Sequence, residues 1–117
     1  MKFLPLILAI GMLAACGDPG SAGSGGNAEV ASRDLVPQDA ALAGVYNRSC
    51  RSCHTVAATG APLTGDAEAW APRMARGMDA MVTSVVEGAG GMPPLGLCSD
   101  CDVEEFEALI AFMAQGG

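Results

Sequence analysis

Between residues 39 and 50 the chain reads DAALAGVYNRSC, and Leu42, Val45, Tyr46 and Cys50 recur at intervals of three and four. That period places them on one face of a helix. Gly44 falls in mid-helix, where it costs roughly 1 kcal/mol against Ala; such a glycine is better tolerated if another element must pass close. Asp66 can cap a short helix running to about residue 76, provided Pro72 falls near its first turn or kinks it. Residues 78–87 predict a further helix, stopped by the GAGG of 88–91. The last helix is the clearest, because Asp102 followed by Glu105 resembles a capping box, and Val103, Phe106, Leu109, Ile110 and Met113 form its apolar stripe. The stretch TVAATGAPLTG after His54 is loop by its Gly and Pro content. No segment alternates with period two, so the pattern predicts an all-α domain.

The start of the chain obeys a different pattern. Residues 3–15, FLPLILAIGMLAA, follow Lys2 as an almost unbroken apolar run, too short to span a bilayer as a mature helix. This is a signal-peptide pattern. It ends in Leu13-Ala14-Ala15-Cys16, which resembles the lipobox of bacterial lipoproteins, where the chain is cut before the cysteine and that cysteine is acylated. The alternative is an ordinary secreted chain with a stray thiol, but an odd cysteine in an exported protein needs a reason. Gly and Ser abound from Gly17 to Val36, with almost nothing to bury. The expected organisation is a signal peptide over residues 1–15, a lipidated cysteine and flexible tether over 16–36, and one folded domain over 37–117. The expected location is the periplasm, with the domain held to a bacterial membrane through Cys16.

Charge and size narrow the function. Six Lys and Arg stand against 13 Asp and Glu, a net charge of −7, which argues against nucleic acid as a partner. A domain of about 80 residues is small for one core, and outside the signal the only aromatics are Tyr46, Trp70, Phe106 and Phe112. Such a core normally needs a staple, a metal or a cofactor.

The chemistry lies in CRSCH, residues 50–54. Cys50 and Cys53 share a helix face with His54, so two sulfurs can join the two vinyl groups of a haem while the imidazole reaches the iron. Three other readings of this motif exist. A thioredoxin-like dithiol would want a strand before it rather than a helix. A four-cysteine zinc module would recruit Cys98 and Cys101 across an unusually long separation and leave His54 idle. A local disulfide between Cys50 and Cys53 is the third. With haem, the opposite axial position is open, and the chain beyond the signal holds no second histidine. Met74, Met78, Met81 and Met113 fall in helical stretches and suit core packing. Met92 stands in GAGGMPPLG, where Pro93 forces it into an extended conformation and Pro94 stiffens the chain beyond, so a thioether can be held against iron with little freedom to lose.

At these residues the chain resembles the class I c-type cytochromes and is similar to the cytochrome c5 group. The matching stretches are GVYNRSCRSCH, GAPLTGDAEAWAPRMARGM, GAGGMPPLGLCSDC and VEEFEALIAFM, which together span Gly44 to Met113. The resemblance implies a small fold of about four helices and loops wrapped around one covalent haem. It implies thioethers at Cys50 and Cys53, His54 as proximal and Met92 as distal ligand, and the Pro62 carbonyl on the other imidazole nitrogen, which would orient the ring. Trp70 and Arg73 match positions beside the haem, either of which could hydrogen-bond a propionate; core packing and a solvent-facing role are their plainer alternatives.

The expected function is that of a monomeric single-electron carrier between respiratory redox proteins, not an enzyme. A haem sensor or enzyme with a displaceable Met92 is the alternative. With Cys50 and Cys53 on haem and Cys16 on lipid, Cys98 and Cys101 are left together in an oxidising compartment, where a disulfide is expected. A redox-active dithiol there is the other possibility.

Overall fold

The computed structural model describes residues 24–117. The signal peptide and Cys16 lie outside the described residues, as does the first part of the expected tether.

The described residues form six α-helices, joined by turns and single helical turns of other pitch, with no strand among them. The described residues are all-α, as the pattern predicts. Helix α1 spans Ser24–Asp34, α2 Ala40–Val45, α3 Arg51–His54, α4 Ala67–Met74, α5 Met78–Glu87 and α6 Val103–Gln115. Among these residues no helix is long and apolar enough to cross a membrane.

Helix α1 corrects the tether expectation, since the second half of that stretch is folded onto the domain. Its two glycines disfavour helix, and contacts outside the helix compensate. The Glu29 carboxylate accepts the Ala57 N–H at 2.8 Å and pairs with Arg33. Arg51 donates to the Arg33 carbonyl at 2.6 Å, and Ser32 is fully buried. Beyond the helix, Leu35 fills a notch that exists because Gly65 and Gly116 lack side chains; a Cβ on Gly65 would stand 2.6 Å from the Leu35 Cδ1. Composition hid this docking, because the Gly and Ser of residues 17–26 dominate the stretch while the residues that make it lie between Glu29 and Leu35.

The first predicted helix is present, and Asp39 caps it by accepting the Leu42 N–H at 2.8 Å. It is not uniform. Residues Tyr46–Cys50 form a π-helical turn between α2 and α3. Tyr46 is completely buried there, with its ring edge-on to Phe112 at 5.1 Å and its hydroxyl 2.9 Å from the Thr64 hydroxyl. Nothing passes close to Gly44, as a Cβ there would meet no atom within 4 Å. Gly44→Ala is therefore expected to stabilise the fold by about 0.5–1 kcal/mol, measured as a higher denaturation midpoint with an unchanged m-value.

Asp66 caps α4 through the Ala69 N–H at 3.1 Å, and Pro72 sits inside this helix, which ends at Met74 rather than near residue 76. Pro72 is exposed, so the hydrogen bond it cannot make lies on the solvent side. Helix α5 has the predicted bounds and is delimited by Gly77 and Gly88, both at positive φ. In α6 the capping box is complete, with Asp102 accepting from Glu105 N at 2.8 Å and Glu105 accepting from Asp102 N at 3.0 Å. Phe106, Leu109, Ile110 and Met113 are buried as predicted, whereas Val103 in the first turn is half exposed. These residues join Val45, Tyr46, Trp70, Met81, Val82 and Val85 in one core.

Candidate functional site

A cavity of about 450 Å³ opens between α3, α5, α6 and the loop that follows α5. Cys50, Cys53 and His54 line it together with Met92 from that loop and Met81, Val85, Ile110 and Met113 from the core.

His54 is held from several directions. A carbonyl can only accept, so the 2.8 Å contact of Nδ1 with the Pro62 oxygen puts the proton on Nδ1 and leaves the Nε2 lone pair free. The Thr64 N–H donates to the His54 carbonyl at 2.8 Å. The intervening Leu63 carbonyl accepts the Trp70 indole N–H at 2.8 Å, and the Trp70 ring stacks on the imidazole at 5.7 Å. Three consecutive residues, Pro62, Leu63 and Thr64, thus strap the histidine in place. Burial holds His54 below the ordinary histidine range, with the Pro62 bond opposing and the Arg73 charge reinforcing that shift. The neutral imidazole is the form that ligates metal.

Burial also pushes the Cys50 thiol up to about 11, with the Arg48 charge opposing. A redox dithiol needs an accessible thiolate, so this environment weighs against the thioredoxin-like reading and suits a sulfur that forms a stable thioether.

On the loop side, Ala89 and Met92 exchange two backbone hydrogen bonds, at 3.2 and 2.9 Å. Gly88 permits that tight return: it sits at φ +83, and a Cβ there would stand 2.8 Å from the Met92 carbonyl. Gly96, at φ +54, faces the Met92 methyl, which lies 3.2 Å from where a Cβ would be. The two glycines form a cradle fitted to this methionine, and no pattern in the sequence signalled that role for them.

Trp70 corrects one expectation. Its indole N–H is engaged by Leu63 and is not left for a propionate, so the residue serves the cavity through its ring. Trp70→Phe removes this bond and leaves the Leu63 carbonyl with the Asp66 N–H alone, at 3.1 Å, and is expected to cost about 0.5–1.5 kcal/mol in urea denaturation. Arg73 gives one N–H to its own helix at the Ala69 carbonyl, 2.6 Å away, and lines the cavity. Arg76, three residues on and therefore on the same side of the chain, also lines it. Its spacing from Arg73 is the one signal in the sequence that points to it.

The sulfurs of Cys98 and Cys101 are joined in the structure, with their Cα atoms 5.4 Å apart. The four cysteines therefore do not form one zinc site; among the described residues Cys98 and Cys101 cluster only with Asp100. Cys98 is buried and sits in the core.

The residues present fit a covalently held haem. Two sulfurs, an oriented neutral imidazole and a thioether packed against Gly96 line one largely apolar cavity. Comparison with known proteins agrees. A family model described as cytochrome C oxidase, cbb3-type, subunit III matches residues 37–113. The chain belongs to this family of class I c-type cytochromes. Cytochrome c5 of Azotobacter vinelandii is 35% identical over 72 residues, covering 60% of this chain and 87% of that protein. Cytochrome c-555 of Chlorobaculum tepidum is 40% identical over 67 residues, covering 56% of this chain and 62% of the relative. A chain from the crystal structure of the electron transfer complex of nitrite reductase with cytochrome c superimposes with a TM-score of 0.58 at 37% identity, covering 67% of this cytochrome and 95% of that chain. This cytochrome is accordingly a haem-based electron carrier with a covalent haem c and its iron.

Proposed function

We propose that this cytochrome carries single electrons between redox proteins of a respiratory chain in the periplasm, and that His54 and Met92 are the side chains that would ligate the iron of its haem. The bound haem supplies an iron that cycles between the ferrous and ferric states. The observation that carries the proposal is that His54, with its Nε2 left free by the Pro62 bond, and Met92, with its methyl against Gly96, line one cavity together with Cys50 and Cys53.

Each side chain has a defined task. Cys50 and Cys53 hold the group covalently, and Pro62 keeps the imidazole in one tautomer and orientation. The apolar residues Met81, Val85, Ile110 and Met113 exclude water, which with methionine ligation favours the reduced state. Arg73 and Arg76 are the cationic side chains at the cavity and suit the propionates. No carboxylate lines the cavity among the described residues. The acid or base needed for peroxide chemistry would have to come from elsewhere, which favours the carrier over a haem enzyme.

The acidic balance of the chain directs it toward partners that are neutral or basic, or toward apolar contact around the haem edge. The nitrite reductase complex of the similar cytochrome supports a redox enzyme as the kind of partner. Cys16 as a lipid anchor completes the proposal; Cys16→Ser should release the protein from the membrane fraction into the soluble periplasm.

Haem staining on a denaturing gel and a ferrous spectrum test the core of it. A covalent pigment with a low-spin spectrum indifferent to carbon monoxide is expected. No stain would refute the covalent haem, and rapid carbon monoxide binding would refute methionine ligation.

The disulfide belongs to the same proposal. A four-residue loop yields only roughly 2 kcal/mol of chain-entropy stabilisation, so its position counts for more. Cys98 trails Met92 by six residues and Cys101 precedes the Asp102 cap of α6. We expect Cys98→Ser/Cys101→Ser to lose the far-red ferric band of the methionine–iron bond at lower urea than wild type. An unchanged midpoint would show that the staple does not serve the ligand.

A further inference from the structure

One exposed ion pair joins the turn that precedes Cys50 to the loop that follows Met92. Arg48 lies in the π-helical turn, two residues before Cys50, and Asp100 lies inside the Cys98–Cys101 loop. The Arg48 guanidinium grips Asp100 with both ends: Nη1 donates to Oδ1 at 3.1 Å and Nη2 to Oδ2 at 3.0 Å. Nη2 also stands 3.4 Å from the Cys98 sulfur.

We propose that Arg48 is a positioning residue, whose two-pronged ion pair with Asp100 fastens the Met92 loop to the haem-attachment turn and so holds the methionine at the cavity. The inference rests on Met92 being the distal ligand, as proposed above.

The connection between the two is short and stiff. From Met92 the chain turns through Pro93, whose carbonyl accepts the Gly96 N–H at 3.0 Å, and Leu95, whose carbonyl accepts the Cys98 N–H at 2.9 Å. The sulfur link at Cys98 then limits the backbone that carries Asp100. On the other side Arg48 projects from a turn whose Tyr46 is locked in the core. A surface ion pair is usually weakened by the entropy of ordering two long side chains. Here Asp is short, its backbone is closed in a small ring, and the planar fork meets the carboxylate in the geometry that favours Arg over Lys.

The pair also closes a mechanical loop. Met92 follows the end of α5, and without the pair the trailing half of its loop keeps its own turn hydrogen bonds, the sulfur link and the burial of Cys98 but loses its ion pair to the haem-attachment turn. Breaking the pair should then raise the population with the methionine displaced, while the core of α2, α5 and α6 keeps its packing. This separates a positioning role from a general stabilising one.

The test uses the ferric holoprotein and imidazole as a competing ligand, with loss of the far-red methionine–iron band as the signal. Arg48→Ala and Asp100→Asn should each tighten apparent imidazole binding by about three- to five-fold, the range open to a well-formed surface pair. The double variant should match the single ones, and Arg48→Lys should fall between. Exchange of the charges, Arg48→Asp with Asp100→Arg, should restore part of the resistance. Added salt should tighten imidazole binding in the wild type and leave Arg48→Ala unaffected.

Single variants with wild-type imidazole affinity, or effects that add in the double variant, would overturn the proposal while methionine ligation stands. Absence of the band from the wild type would instead remove methionine ligation, and the proposal with it.

Discussion

Cys50→Ala/Cys53→Ala, produced without haem, is expected to lose most of its far-UV helical signal and its cooperative thermal transition. The residues around the cavity are also the residues of the core: Met81, Val85, Ile110 and Met113 belong to both. At roughly 24 cal/mol per Å³ of unfilled cavity, a space of about 450 Å³ would cost on the order of 10 kcal/mol, an upper value because the cleft opens to water. A whole domain is stable by only about 5–15 kcal/mol. The helices have little of their own to fall back on, since α2 has six residues and α3 four, lengths at which isolated helices do not persist. Native-like ellipticity with a sharp transition in this variant would contradict the view that the cofactor is part of the core.

Met92→Ala should produce the largest change in redox behaviour. Gly96 leaves room for its methyl, while Gly88 admits its backbone carbonyl, and truncation leaves no replacement donor at that loop. The ferric far-red band should vanish, the ferrous protein should bind carbon monoxide, and the midpoint potential should fall. A fall on the order of 0.1 V is expected, a fraction of the roughly 0.8 V range over which axial ligands move haem potentials. Fold stability should change less than in the cysteine variant, because Met92 is partly exposed and its backbone is tied to Ala89 independently of the side chain. A potential and carbon monoxide response equal to wild type would show that another group occupies the distal position.

Features that depend on neighbours in sequence were legible from the chain alone. The cap of α6, the bounds of α5 and the CRSCH face are local, and the structure forms them as the period of apolar positions requires. Features that depend on distant partners were not. That Trp70 would donate to Leu63 depends on how the strap folds back on α4, and neither residue advertises it. The π-helical turn in Tyr46–Cys50 arises where one helix must serve Thr64 and Phe112, Asp100, and the cavity within a few residues. A regular period hides such a defect. The α1 docking was missed for a related reason: propensity describes the glycines, but Glu29, Ser32 and Leu35 act through tertiary partners.

That docking sets a length scale for the electron's journey. With residues 24–34 helical and held to the domain from Glu29 onward, an anchor at Cys16 would have only eight residue steps of chain before that helix begins. Even fully extended, that leash measures about 28 Å, less than half the span of a tether reaching to residue 36. A carrier so leashed would exchange electrons with proteins seated on its own membrane rather than across the width of the compartment.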